Sequence, residues 1–225
     1  MKENKENIKI KKLEIERDRL LRMSVYENEY KGKIIAGVDE AGRGPLAGDV
    51  YASCVILDTK KEILYLNDSK KLSQKKRELL YNEIKEKALM YGIGHASVEE
   101  IDKYNILNAT YLAMERAIKI CEENLQKKYN KKIDVLLNDA ITIPNIDIKI
   151  QIPIIKGDQK SISIAAASVL AKVTRDKKCE EYDKLYPQYG FLKHKGYGTR
   201  EHIQNLKKYK ASPIHRKTFI KNFIN

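Results

Sequence analysis

Four acidic residues stand where apolar runs end: Asp39 and Glu40 close IIAGVDE, Asp139 closes KIDVLLND, and Asp158 closes IPIIKGD. Carboxylates gathered within a few ångströms repel one another, so at neutral pH they either keep protons or need cations. Oxygen-only donors, with no histidine or cysteine at useful spacing, select hard ions such as Mg2+ or Mn2+ over zinc. Two such ions about 3.5–4 Å apart can clamp a phosphodiester, one activating water and the other steadying the departing oxygen. The chemistry indicated is that of a nuclease. Taken singly, each aspartate is equally well a turn former, and Asp158 a helix cap ahead of KSISI. The adjacent pair resists that explanation. Alternation sends Asp39 and Glu40 to opposite faces, and a buried strand end gains nothing from both.

Directly after the pair comes AGRGPLAG, with Gly42, Arg43 and Gly44. Glycines let main-chain amides come close to a sugar or phosphate. The plain alternative is a hairpin turn with a solvated arginine. A nucleotide triphosphate cradle is not supported, since no GK[ST] follows.

The elements that must carry these residues read as alternating strands and helices. IIAGVD and VYASCVIL (50–57) form two β-rich runs whose short connection predicts a hairpin with the glycine loop at its turn. SQKKRELLYNEIKEKALMYG (73–92) reads as a helix capped by Ser73 and closed by Gly92, followed by a strand at 93–98 and a long amphipathic helix at 106–129. Two apolar strands at 132–139 and 152–158 precede a helix at 161–185, whose alanines 165–167 and 171 let it lie close to a sheet. A short helix at 200–209 and a basic tail, SPIHRKTF, follow Pro187. The pattern predicts an α/β domain with a mixed sheet, and ligands of such sheets bind at the carboxyl ends of strands.

The 225 residues are 42% hydrophobic, enough for a buried core, and 44 Lys and Arg against 31 Asp and Glu leave a formal charge of +13. That excess favours a polyanionic partner, although a lysine-rich coding style would also produce it. Residues 1–32 are highly charged with a thin apolar stripe (Ile10, Leu13, Ile15, Leu20, Leu21) and read as an exposed arm or helix, and residues 33–225 as the domain proper. No stretch resembles a signal-peptide core or a membrane span, so a cytoplasmic protein is expected. Cys54, Cys121 and Cys179 fit no disulfide or zinc spacing and are expected to be buried free thiols.

Four blocks carry a resemblance beyond these patterns. GVDEAGRGPLAGDVYASCVIL, NDSKKLSQKKRELLYNEI, IKGDQKSISIAAASVLAKVTRD and YGFLKHKGYGT, in this order, resemble the bacterial type 2 ribonuclease H family, ribonuclease HII, over about residues 33 to 219. The resemblance implies a ribonuclease H-like fold, with a central five-stranded mixed sheet flanked by helices and a helical C-terminal part. It implies a monomeric hydrolase that cuts the RNA strand of RNA–DNA hybrids and incises at ribonucleotides embedded in duplex DNA, a ribonucleotide excision repair activity leaving 5'-phosphate and 3'-hydroxyl ends. It assigns metal-binding catalytic roles to Asp39, Glu40, Asp139 and Asp158. The Gly42–Arg43–Gly44 loop would contact the 2'-hydroxyl at the RNA-to-DNA junction, and Tyr197 would stack on the adjoining deoxyribose.

One departure concerns Asp139, which the family follows with glycine and this chain with Ala140. Asp134 is the sole nearby substitute, on the opposite pleat face toward the strand's start. Lys70 and Lys71 are candidates for phosphate contacts or simply solvated lysines. His194 reads as a hydrogen-bonded structural residue, and the tail around Arg216 and Lys217 either binds flanking duplex or fastens the C-terminus. A DNA nuclease on the same sheet would share the acids without needing a 2'-hydroxyl sensor. A non-catalytic nucleic-acid-binding module would use the acids only for turns.

Overall fold

The computed structural model describes residues 2–224. Two helices, α1 (Lys2–Arg22) and α2 (Val25–Glu29), come first. Strands β1 (Ile35–Ala41) and β2 (Val50–Ile56) pair antiparallel as the expected hairpin. Helix α3 (Gln74–Lys87) starts at Ser73, whose side chain accepts the Lys76 N–H. It stops at Lys87 rather than running to Gly92, because Met90–Ala96 forms strand β3 and Gly92 lies inside it. A Cβ at Gly92 would overlap the Ala117 carbonyl, so that glycine serves close packing and not helix termination.

Helix α4 (Val98–Tyr129) begins eight residues before the expected position of 106. A capping box between Ser97 and Glu100 nucleates it, and a break at Asn105 (φ 67°) divides it, which interrupts the apolar periodicity of the first turns. Strands β4 (Val135–Asp139) and β5 (Ile150–Ile154) lead into α5 (Ile162–Leu185), capped by Ser161. Helices α6 (Phe191–His194), α7 (Arg200–Tyr209) and α8 (Lys217–Ile220) complete the C-terminal part.

The five strands form one mixed sheet in the order β3-β2-β1-β4-β5, with β1, β4 and β5 mutually parallel. On one face Val38, Ala52, Cys54 and Leu136 meet Ala113, Met114, Ala117 and Cys121 of α4 in the largest apolar cluster. Burying each large side chain there contributes about 1.5–3 kcal/mol. On the other face α5 lies directly on β1: a Cβ at Gly37 would overlap the Ser163 backbone, and the Ser53 hydroxyl donates to the Ala167 carbonyl at 2.6 Å. The fully buried alanines 165–167 permit this approach. All three cysteines are free and buried.

The first two helices contact the rest of the chain through polar groups and through Leu20 and Tyr26, which pack against apolar clusters beneath them. Glu16 accepts the Tyr65 N–H at 2.8 Å, and Arg17 pairs with Glu62. Glu27 accepts the Ser161 hydroxyl at 2.6 Å and the Ser163 N–H at 3.0 Å, at the start of α5. Ile10, Ile15 and Leu21 of the apolar stripe remain exposed. Among the described residues no helix is long and apolar enough to cross a membrane.

Candidate active site

Register brings the acids together. Val38 of β1 lies opposite Asn138 of β4, so the next residues, Asp39 and Asp139, stand level at two adjoining carboxyl ends. Asp139 in turn lies opposite Ile154 of β5. Beyond β5 the chain turns through Lys156 (φ 59°) into a single 3-10 turn, Gly157–Gln159, that carries Asp158. The Gly157 N–H donates to Asp139 Oδ1 at 2.7 Å, tying this turn to β4. Asp39 Oδ1 accepts the Glu40 N–H at 2.7 Å, and Glu40 Oε1 lies 3.4 Å from Arg43 Nη1. Asp134 bonds the Ile34 N–H at the opposite end of the strands and cannot replace Asp139.

The electrostatics match the crowding. Burial pushes Asp39 well above the ordinary carboxylate range, with the Glu40 and Asp139 charges adding to it and the Ser168 hydroxyl opposing. Glu40 is raised by burial, against the pull of Arg43. Asp158 rises to about 6, first through burial and then through the charges of Asp68 and Asp139. Each shift records a carboxylate that is costly to ionise in its place.

Among the described residues no three His, Cys, Asp or Glu side chains are already drawn into a metal cage. The donors still suit a hard divalent ion. They are oxygen-only and half-buried to buried, and they come from the ends of β1 and β4 and the turn that follows β5. A cation placed among them would offset the burial, and the neighbouring negative charges, that raise Asp39, Glu40 and Asp158.

A second group of residues lies beside the acids. Gly42 has φ 105°, and a Cβ there would overlap the Arg175 side chain, so only glycine fits. Arg43 and Gly44 are exposed. Tyr197, also exposed, stands against Gly44: its Cε1 is 3.6 Å from where a Gly44 Cβ would be. The Arg175 guanidinium lies 5.8 Å from the Tyr197 ring centre. Lys70 and Lys71 are exposed near Asp158: the Lys70 charge acts on that carboxyl, and Lys71 Nζ donates to Gln159 Oε1 at 3.0 Å. The glycine loop and Tyr197 thus flank the acids on the Glu40 side, and Lys70 and Lys71 on the Asp158 side.

His194 is a structural residue, engaging the Tyr189 carbonyl through Nε2 at 2.8 Å and the Gly196 N–H through Nδ1 at 3.2 Å. His202 and His215, which carried no sequence signal, pack with it as a buried group 3.0 Å apart, and burial lowers both to about 4. Arg216 is fully buried, so this part of the tail fastens to the domain.

Two neighbours of the site, Asp68 and Arg175, escaped the sequence reading. Asp68 is buried beside Asp158 and caps the turn that carries Lys70 and Lys71. Its signal was the acid preceding a lysine pair in NDSKK. Arg175 looks like an ordinary surface arginine in sequence and is buried. Ala140 adopts the left-handed conformation (φ 60°) that glycine favours, and its N–H donates to the Ile154 carbonyl at 3.0 Å. The chain thus keeps the turn after Asp139 without the glycine.

A family profile described as Ribonuclease HII matches residues 36–222. The chain is 54% identical over 219 residues to "Ribonuclease HII" of Clostridioides difficile (strain 630), covering 96% of this chain and 82% of that protein. Among solved structures it resembles the ribonuclease H2 from Pyrococcus horikoshii OT3, with TM-score 0.66, 26% identity, and 84% of this chain and 96% of that one covered. The fold also matches Bst-RNase HIII in complex with Mn2+, with TM-score 0.60, 12% identity, and 84% and 74% coverage.

Proposed function

The chain belongs to the ribonuclease HII family and is a ribonuclease H-type hydrolase, and from that premise we propose that it incises 5' to ribonucleotides embedded in duplex DNA as well as cutting the RNA strand of RNA–DNA hybrids. Asp39, Glu40, Asp139 and Asp158 would hold two Mg2+ or Mn2+ ions, and the products would be 5'-phosphate and 3'-hydroxyl ends. The observation that carries this reading is that Asp39, Glu40 and Asp158 are each raised by burial and by the charge of Asp139, beside an exposed Arg43–Gly44 backbone. The Mn2+ in Bst-RNase HIII, on the same fold, is consistent with the ion class.

When bound, such ions supply an activated water and charge to stabilise the departing oxygen. The remaining work falls to side chains and backbone. The amides of the Gly42–Gly44 loop read the 2'-hydroxyl, the group that separates RNA from DNA. Tyr197 offers its exposed ring to the neighbouring sugar, and Lys70 and Lys71 hold phosphates on the Asp158 side. All these residues come from one chain, so a monomer suffices, working in the cytoplasm.

The test is a labelled DNA duplex containing one ribonucleotide, an all-DNA duplex and an RNA–DNA hybrid, each with Mg2+ or Mn2+. Cleavage confined to ribonucleotide-containing substrates is expected. Asp39→Asn should abolish cleavage while keeping or tightening hybrid binding, because it removes a negative charge from the cleft. Equal cutting of the all-DNA duplex would point to a general DNA nuclease, and unimpaired cleavage by Asp39→Asn would remove the acids from the chemistry.

A further inference from the structure

The Arg216 side chain is fully buried and spans the chain from its C-terminal end to the glycine loop. Its Nη2 donates to the Gly42 carbonyl at 2.6 Å, Nη1 to the Arg43 carbonyl at 2.9 Å, and Nε to the Gly48 carbonyl at 2.8 Å. One planar guanidinium therefore collects three carbonyl oxygens from the two ends of a single loop. Lysine, with a single nitrogen, could not reproduce that fork. Burial and the nearby Arg175 charge pull Arg216 down to about 9, still above neutrality, so every donor remains protonated.

These bonds determine where the loop's own donors point. In a trans peptide the C=O of one residue and the N–H of the next are antiparallel. With the Gly42 and Arg43 carbonyls turned inward to the guanidinium, the Arg43 and Gly44 N–H groups must face the other way, toward solvent. Both residues are exposed, and among the described residues neither N–H finds an acceptor. They are thus two free amides held in a fixed direction.

The same tail also ties in Tyr197. The Arg216 N–H donates to the Leu46 carbonyl at 2.9 Å, and the Leu46 N–H donates to the Gly196 carbonyl at 2.8 Å, one residue before Tyr197. A bridge between Ala47 and His215, together with the Gly48 N–H bond to the Ile214 carbonyl, closes the arrangement.

We propose that Arg216 is the positioning residue for ribose discrimination: through the Gly42, Arg43 and Gly48 carbonyls it aims the loop amides at the 2'-hydroxyl and sets the loop's distance from Tyr197. It touches no substrate itself. The inference rests on the reading of the Gly42–Gly44 loop as the ribose sensor, and it assigns the loop's orientation to a residue about 170 positions away in sequence.

The experiment compares wild type, Arg216→Gln and Arg216→Lys, using full-length protein well below each melting temperature. Affinity for a duplex with one ribonucleotide and for the all-DNA duplex is measured across a salt series without divalent ions, and cleavage is measured with Mn2+. The expected result is about a tenfold or greater fall in the ribonucleotide-to-DNA affinity ratio for Arg216→Gln, with an unchanged all-DNA affinity and salt slope. Arg216→Lys should fall between the two. In cleavage the variants should raise KM for the single-ribonucleotide substrate more than they lower kcat, since the carboxylates are untouched. If Arg216→Gln does not fold, Arg216→Lys carries the comparison, with hydrogen exchange of residues 42–48 as its second readout. Faster exchange there than in β3 supports the proposal. A lowered melting temperature with the affinity ratio intact would overturn it. Absence of any ratio in the wild type would instead refute the ribose-sensor reading on which it rests.

Discussion

Asp158→Asn should make the ion-free protein more stable at neutral pH. Asp158 is buried, and its carboxyl is raised from 3.8 to about 6 by desolvation and by the Asp68 and Asp139 charges. Well below pH 3.8 the group is protonated in folded and unfolded chains alike, and it penalises neither. As pH climbs through 6, the unfolded chain ionises freely, whereas the folded chain must strip that charge of water beside two others. The favourable contribution to stability is therefore present at low pH and lost between about pH 4 and 6.5. At about 1.4 kcal/mol per tenfold change in protonation, the ceiling is about 3 kcal/mol. Asparagine forfeits a weak interaction with the start of α5, worth about 0.5 kcal/mol, but its amide can donate to the Asp68 carboxylate. The net gain at pH 7.5 should be about 1–3 kcal/mol, or about 3–8 °C in a domain of this size. Thermal unfolding followed by circular dichroism in chelator from pH 4.5 to 8 checks this, and the difference between the two proteins is the readout, since all other groups titrate in both. Adding Mg2+ at pH 7.5 should raise the wild-type melting temperature more than the variant's. A difference that stays constant with pH, or an asparagine variant less stable at pH 7.5, would refute the picture of carboxylates held together at a cost that cations relieve.

Further measurements probe the frame around the site. Ala140→Gly should stabilise the protein by about 0.5–1 kcal/mol, because relief of the left-handed alanine outweighs the added freedom of the unfolded chain; chemical denaturation would show the opposite sign if that φ were not native. Gly37→Ala should cost about 1–3 kcal/mol and weaken cleavage as well, since the new methyl collides with α5 backbone two residues before Asp39. Affinity for duplex substrates should fall with salt at a log–log slope of about −0.9 per phosphate contacted, and a flat plot would mean that the +13 charge has no part in binding.

The carboxylates were legible because local order and register agree. Apolar runs ending in acids mark the ends of β1 and β4, and parallel pairing of β1, β4 and β5 brings those ends to one edge of the sheet; the run at 152–158 ends its strand earlier, at Ile154, and Asp158 follows in a 3-10 turn. Alanines 165–167 likewise announced a helix pressed against the sheet. What failed to show depends on contacts between distant segments. Gly92 resembles a helix stop, yet it is a strand position against which α4 packs, and nothing near it in sequence names that partner. The first turns of α4 were hidden by the break at Asn105. Asp68 gains its meaning only beside Asp158, and Arg216 only beside Gly42, because burial of a charged side chain is decided by the partners it meets.

The order of synthesis gives the Arg216 fork a further meaning. The strands and turn bearing the four acids are complete once the ribosome has passed Asp158, but the Gly42–Gly44 loop lacks its clamp until Arg216 has emerged, 58 residues later. On the proposed reading of that loop, a nascent chain, or one clipped before Arg216, would carry the acids without the clamp, so its selectivity should erode before its sheet is dismantled.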